Sequence, residues 1–283
     1  MEEPGQRSAL GDAGGGHMED FSELINLHFS ILLVFSRSAH PGRIGAPMIT
    51  RRFLCGCIPL AAASAITASQ AFAANAECAV YTPDRQRALS PDEAIGLLNE
   101  GNERFASGRT VNCDLLAQAK ETANGQAPFA AIVGCMDSRV PPELVFDQKI
   151  GDVFSVRIAG NFIEENIIGS LEFATKVTGV RAIVVLGHNS CGAIRGAIDG
   201  VQLGNLTTTL ANIRPAVEST VYEGDRRAGN PAFVQAVAEE NVRRAVALLT
   251  EKSGINAALV EAGELRIVGA MHDLATGRVT FLS

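Results

Sequence analysis

Phe129-Ala130-Ala131-Ile132-Val133-Gly134 runs straight into Cys135-Met136-Asp137-Ser138-Arg139, and Ala182-Ile183-Val184-Val185-Leu186 runs into Gly187-His188-Asn189-Ser190-Cys191-Gly192. Each leading run is almost wholly apolar or β-branched, as a strand covered on both faces is, and residues 153–158 make a third run of the same kind. Between the last two runs, residues 164–177 carry helical spacing with Gly179 as the stop, so these segments read as a βαβ unit of a parallel sheet. Both polar clusters then fall at carboxyl ends of parallel strands, where open α/β sheets place their sites.

Working outward, Ser90-Pro91-Asp92-Glu93 combines an N-cap serine, a proline in the first turn and a glutamate at N3. This predicts a helix from Pro91 to near Gly108. Asn230-Pro231 opens a long helix that is expected to end at Gly254, with Phe233, Val237, Val242, Val246 and Leu249 on its apolar side. Residues 265–270 and 278–282 flank a turn containing Gly277 and read as a closing hairpin. The expected fold class is α/β, as one domain from about residue 88 onward.

Of 283 residues, 47% are apolar and 19% charged, a globular composition that excludes disorder and collagen-like repetition. The formal charge is -7, from 24 Lys+Arg against 31 Asp+Glu, and no basic block exceeds two residues, so nucleic acid is excluded as a partner. Six cysteines are too few for a disulfide scaffold in this length, and each needs its own account.

The amino-terminal region reads as address. Arg51 and Arg52, the apolar run 53–66 and Ala71-Phe72-Ala73 form the n-region, h-region and cleavage site of an export signal over 48–73. Residues 1–47 are expected to be an over-extended gene start, and 74–283 the mature domain with its amino-terminal arm. The paired arginines resemble a twin-arginine signal that lacks the usual spacer before Phe-Leu. A periplasmic or secreted protein with no stable membrane anchor after processing is expected, since Pro59 and a run of small residues make a weak span. Cys55 and Cys57 leave with the signal. Cys78 and Cys113 remain, to form a disulfide or stay unpaired, and spacing does not decide between these.

That leaves Cys135, His188 and Cys191. A lone cysteine after a strand is usually a small hydrophobe and a lone histidine a hydrogen-bonded core residue, but the joint pattern is the donor set zinc accepts. Three such ligands leave a fourth position open, the arrangement of a catalytic site.

The Cys-x-Asp-x-Arg and His-x-x-Cys motifs resemble those of the β-class carbonic anhydrases, and the resemblance runs from about Leu89 to Leu282, including Asp152 to Asn161 and Gly169 to Ala174. It implies a mostly parallel central sheet with one antiparallel edge strand, helices on both faces, an amino-terminal helical arm, and a homodimer or homotetramer. It implies one Zn2+ per subunit on Cys135, His188 and Cys191, with Asp137 and Arg139 as the catalytic dyad in attack of zinc-bound hydroxide on carbon dioxide to give bicarbonate. Substrate-side positions carried over are Gln126, Phe154, Ala159, Phe173 and Gly192. Of these, Gln126 and the two aromatics are expected to act across a dimer interface. Ala159 stands where a larger valine is common, and Phe173 replaces a tyrosine. Arg157 matches the arginine of a bicarbonate pocket found in members that close at low pH, but Ile132 stands where that pocket has a tryptophan, and the chain has none. The plant-like, open-site type is therefore implied. Competing readings are hydrolysis of carbon disulfide or carbonyl sulfide on the same scaffold, and a non-catalytic zinc module, for which the Asp137 and Arg139 pair would have no use.

Overall fold

The computed structural model describes residues 78–282. The expected gene start (1–47) and export signal (48–73), with Cys55 and Cys57, lie outside the described residues. Along the chain come α1 (Pro83–Ala88), α2 (Pro91–Ala106), α3 (Leu115–Glu121), β1 (Ala130–Gly134), α4 (Pro142–Val145), β2 (Val153–Arg157), α5 (Glu165–Glu172), β3 (Ala182–His188), α6 (Gly192–Ile198), α7 (Leu206–Ala211), α8 (Arg214–Ser219), α9 (Pro231–Glu251), α10 (Gly254–Glu261), β4 (Arg266–His272) and β5 (Val279–Phe281). The sheet order is β2-β1-β3-β4-β5. All neighbours are parallel except β5, which runs antiparallel to β4.

β1 and β3 are buried at every position, because helices cover both faces of the sheet. Alternate residues feed opposite layers. Ala131, Val133, Ile183 and Val185 pack with Phe233, Val237 and Val242 of α9, while Ala130, Ile132, Val184 and Leu186 pack with Leu98 of α2 and with Phe146. α9 can approach the sheet closely because Gly269 and Gly187 lie under Val242. A Cβ on Gly269 would sit 2.6 Å from Val242 Cγ1, and one on Gly187 2.6 Å from Cγ2.

The amino-terminal arm is fixed by polar contacts. Ser90 and Glu93 close the expected capping box on α2. Further along that helix, Asn102 Nδ2 donates to the carbonyls of Val145 (3.0 Å) and Gly277 (2.8 Å), and its Oδ1 accepts the Val279 N–H at 2.8 Å, so one buried amide ties α2 to the hairpin. Cys78 and Cys113 are joined in a disulfide with Cα atoms 5.5 Å apart, which settles the choice that spacing left open.

Several boundaries differ from expectation, β4 among them, which runs from Arg266 to His272. β3 runs on through His188, because β4 continues to offer partners as far as His272. The expected helix over 164–177 is α-helical to Glu172, and its last turn, Phe173–Val177, is π-helical. Gly254 does not end the long helix: α9 stops at Glu251, and Ser253 Oγ accepts the Asn256 N–H at 3.1 Å, capping α10 with Gly254 as its first residue. Among the described residues, no helix is long and apolar enough to cross a membrane.

The contact of α9 with the sheet is testable. Val242 is β-branched and stiff in a helix, so Gly269→Ala is expected to lower stability by about 1–3 kcal/mol through overpacking. Adding Val242→Ala should cost less in the Gly269→Ala background than alone. Urea unfolding midpoints check this, and additive losses would count against the contact.

Candidate active site

In the parallel pairing of β1 with β3, Gly134 stands across from Leu186. Cys135, one residue beyond the end of β1, therefore emerges beside the last residues of β3, where His188 sits. Ser190 takes a left-handed conformation (φ 55°) and turns the chain into α6, with Cys191 as the residue preceding its first turn. All three side chains are buried. The sulfurs lie 4.0 Å apart, and the ligand atoms of the three residues all fall within 4.8 Å of one another.

Two observations show that this cluster suits a metal ion. His188 Nδ1 lies 2.9 Å from the Asn189 carbonyl. A carbonyl can only accept, so Nδ1 carries the proton and Nε2 presents a lone pair. That Nε2 is buried without a hydrogen-bond partner, and it is the atom a cation would take. The thiols are likewise arranged for charge. Hydrogen bonding with Cys191 holds the Cys135 thiol far below its ordinary value against an opposing effect of burial, with His188 and the Gly160 and Asp137 N–H groups adding to it. The same sharing pushes the Cys191 thiol up. Two sulfurs thus contend for one proton, which a dication would displace. Gly160 donates to Cys135 Sγ at 3.3 Å from a left-handed conformation (φ 81°), and a Cβ there would lie 2.4 Å from Ile213 Cδ1, so the donor position requires glycine.

Asp137 sits at the mouth of the cluster, its Oδ2 3.9 Å from His188 Nε2. Arg139 grips it with two parallel bonds, Nε to Oδ1 at 2.9 Å and Nη2 to Oδ2 at 2.7 Å, and the Arg139 N–H adds a third at 3.0 Å. The Arg139 side chain accordingly holds the Asp137 carboxyl well below the usual carboxylate range. Arg157 supports the loop from below, donating to the carbonyls of Cys135 (3.1 Å) and Asp137 (2.5 Å).

Residues 130–279 match the carbonic anhydrase family model. The chain is 39% identical over 191 residues to carbonic anhydrase 2 of Mycobacterium tuberculosis, covering 67% of this chain and 91% of that protein. The chain belongs to the β-class carbonic anhydrases. Its fold is similar to the β-carbonic anhydrase CafA of Aspergillus fumigatus, with a TM-score of 0.54 and 28% identity over 68% of this chain and 90% of that one. It is also similar to a structure from a study of two tetrameric β-carbonic anhydrases of Sordaria macrospora, with a TM-score of 0.50 and 29% identity over 58% and 85% of the two chains.

Within this carbonic anhydrase, the structure brings together five of the residues singled out in the sequence: Cys135, His188, Cys191, Asp137 and Arg139. The others stand apart from that group or at its margin. Phe154 and Phe173 face each other at 6.4 Å in a groove along β2 whose lining includes none of the three cluster residues. Gln126 is exposed in the loop before β1, Ala159 is half-buried beside Gly160, and Gly192 is exposed at the start of α6. Ile132 is fully buried against the arm-side core. Sequence reasoning missed Gly160, Asn189 and the buried His272 that pairs with His188 across β3 and β4. Gly160 carries no local signal, because its role comes from a backbone N–H. Asn189 lay inside the His-x-x-Cys motif as an unassigned position.

Cys135→Ala, His188→Ala and Cys191→Ala are each expected to lose bound metal, while the parent holds about one ion per chain. Elemental analysis of purified protein decides this, and full occupancy in any of the three variants would remove that residue from the site.

Proposed function

We propose that this carbonic anhydrase holds one zinc ion per chain on Cys135, His188 and Cys191 and catalyses the reversible hydration of carbon dioxide to bicarbonate and a proton. The observation that carries the reading is the Asp137 carboxylate, gripped by Arg139 and facing the cluster. Zinc, when bound, supplies the Lewis acidity that lets water give up a proton near neutral pH. Asp137 does the orienting. Kept ionised by Arg139, it can only accept a hydrogen bond, so a water that donates to it presents a lone pair in another direction, toward carbon dioxide. Arg139 occupies both carboxylate oxygens and keeps Asp137 at the mouth, which supports the open-site type.

Gln126, Phe154, Ala159, Phe173 and Gly192 belong on the substrate side in this reading, Gln126 and the aromatics serving a neighbouring subunit. Exposure of Gln126 and of Phe173 (51%) in the single chain supports that arrangement, as does the tetrameric assembly named for the Sordaria relatives. Asp137→Asn and Arg139→Ala are expected to keep zinc while losing about 10²-fold or more of hydration activity, as loss of a proton-orienting group does. Stopped-flow hydration with zinc analysis on the same samples tests this, and unchanged activity in either variant overturns that residue's role.

The protein is further proposed to be exported, cleaved after Ala73 and assembled as a homo-oligomer outside the cytoplasm. Support comes from the Cys78–Cys113 disulfide, a bond that persists in oxidising compartments. Extracytoplasmic protein beginning near Ala74 and eluting as a dimer or tetramer is the expected result of fractionation, amino-terminal sequencing and light scattering. Cytoplasmic protein retaining Met48 would refute it.

A further inference from the structure

We propose that Asn189 is a positioning residue for His188, fixing the tautomer of the imidazole through a clamp onto the β4–β5 turn. The inference rests on the reading of His188 as a zinc ligand. All the polar groups of Asn189 are engaged. Its carbonyl accepts from His188 Nδ1 at 2.9 Å, and its N–H donates to the His272 carbonyl at 3.2 Å. Its side-chain Oδ1 accepts the Leu274 N–H at 3.0 Å, and its Nδ2 donates to Asp273 Oδ2 at 2.8 Å.

Asp273 is itself fixed. Its Oδ1 accepts the N–H groups of Ala275 (3.0 Å) and Thr276 (2.8 Å) and the Thr276 hydroxyl (2.9 Å), which leaves Oδ2 for Asn189. The peptide that follows Asn189 leads into Ser190 in a left-handed conformation, where nothing in a regular ladder sets the direction of the Asn189 carbonyl. The side-chain clamp sets it. Because that carbonyl is the acceptor for Nδ1–H, the clamp determines which imidazole nitrogen is left to bind a cation, and a buried ligand histidine depends on such a partner for its orientation.

The pairing of Asn189 with Asp273 is one donor against one acceptor, so its polarity can be reversed. Asn189→Asp places two carboxylates face to face. Asp273→Asn places two amide NH2 groups face to face while keeping an oxygen for Ala275 and Thr276. Together the two substitutions restore one donor and one acceptor, and the carboxylate at position 189 still accepts the Leu274 N–H. Zinc dissociation constants for the full mature chain, measured by competition with a chromophoric chelator, are expected to rise about 10–100-fold in each single variant. In the swapped pair they are expected to return to within roughly threefold of the parent. A contact that merely ties the hairpin to the sheet would move thermal stability and leave zinc affinity in place.

A parent chain that binds no zinc removes the reading of His188 as a ligand. A zinc-binding parent whose single variants bind as tightly, or whose swapped pair binds no better than the weaker single variant, overturns the role of Asn189 alone. Where a single variant does not fold, the swapped pair decides: recovery of folding and affinity supports the clamp, and lost affinity overturns it.

Discussion

Gly134 lies across from Leu186 in the parallel pairing of β1 with β3, and the position of every group at the site follows from that register. It delivers Cys135 to the end of β3 and keeps His188 on the adjoining strand. The register is held because both strands are buried on both faces and interleave with two separate cores. A slip of one residue would turn each of their side chains to the opposite layer. Gly187 on β3 and Gly269 on β4 let α9 press against the sheet beside β1, so the packing around the register also holds the helix that reaches the site. Asn241 of α9 donates to the Gly160 carbonyl at 2.8 Å and thereby steadies the N–H that faces Cys135.

Much of this was legible beforehand, and the exceptions share a cause. Long uninterrupted apolar runs announced β1 and β3, and Ser90-Pro91-Asp92-Glu93 announced α2, because these signals are local. The short helices, such as α7 and α8 with six residues each, left too few turns for a period to show. Gly254 read as a stop because glycine commonly ends helices, whereas Ser253 before it began another. At the site, the metal-binding types and the Asp137–Arg139 pair could be named from their motifs. The partners of His188 Nδ1 and Cys135 Sγ could not, since a backbone carbonyl and a backbone N–H belong to every residue and mark none.

Two thiolates and a dication would be neutral together, and Asp137 is matched by Arg139, so the site would carry little net charge with a dication on the cluster. Arg157 spends its donors on two carbonyls of the Cys135–Asp137 loop, holding the geometry without adding a counter-ion to the carboxylate itself. The exposed side of Arg139 lets its charge be solvated, while Asp137 is largely covered.

Cys135 and Cys191 are 56 residues apart in the chain, and they meet only when the crossover through β2 and α5 has closed. Parallel pairing of this kind is non-local and slow relative to helix formation. Before it occurs, only His188 and Cys191 of the cluster lie close together along the chain. The folded chain holds its four described cysteines in two pairs. Cys135 and Cys191 are enclosed at 3% and 1% exposure, whereas Cys78 and Cys113 stay near the surface of the arm and are oxidised to each other. Topology in this protein therefore sorts the cysteines by place: those the sheet encloses are free thiols, and those of the arm form a crosslink.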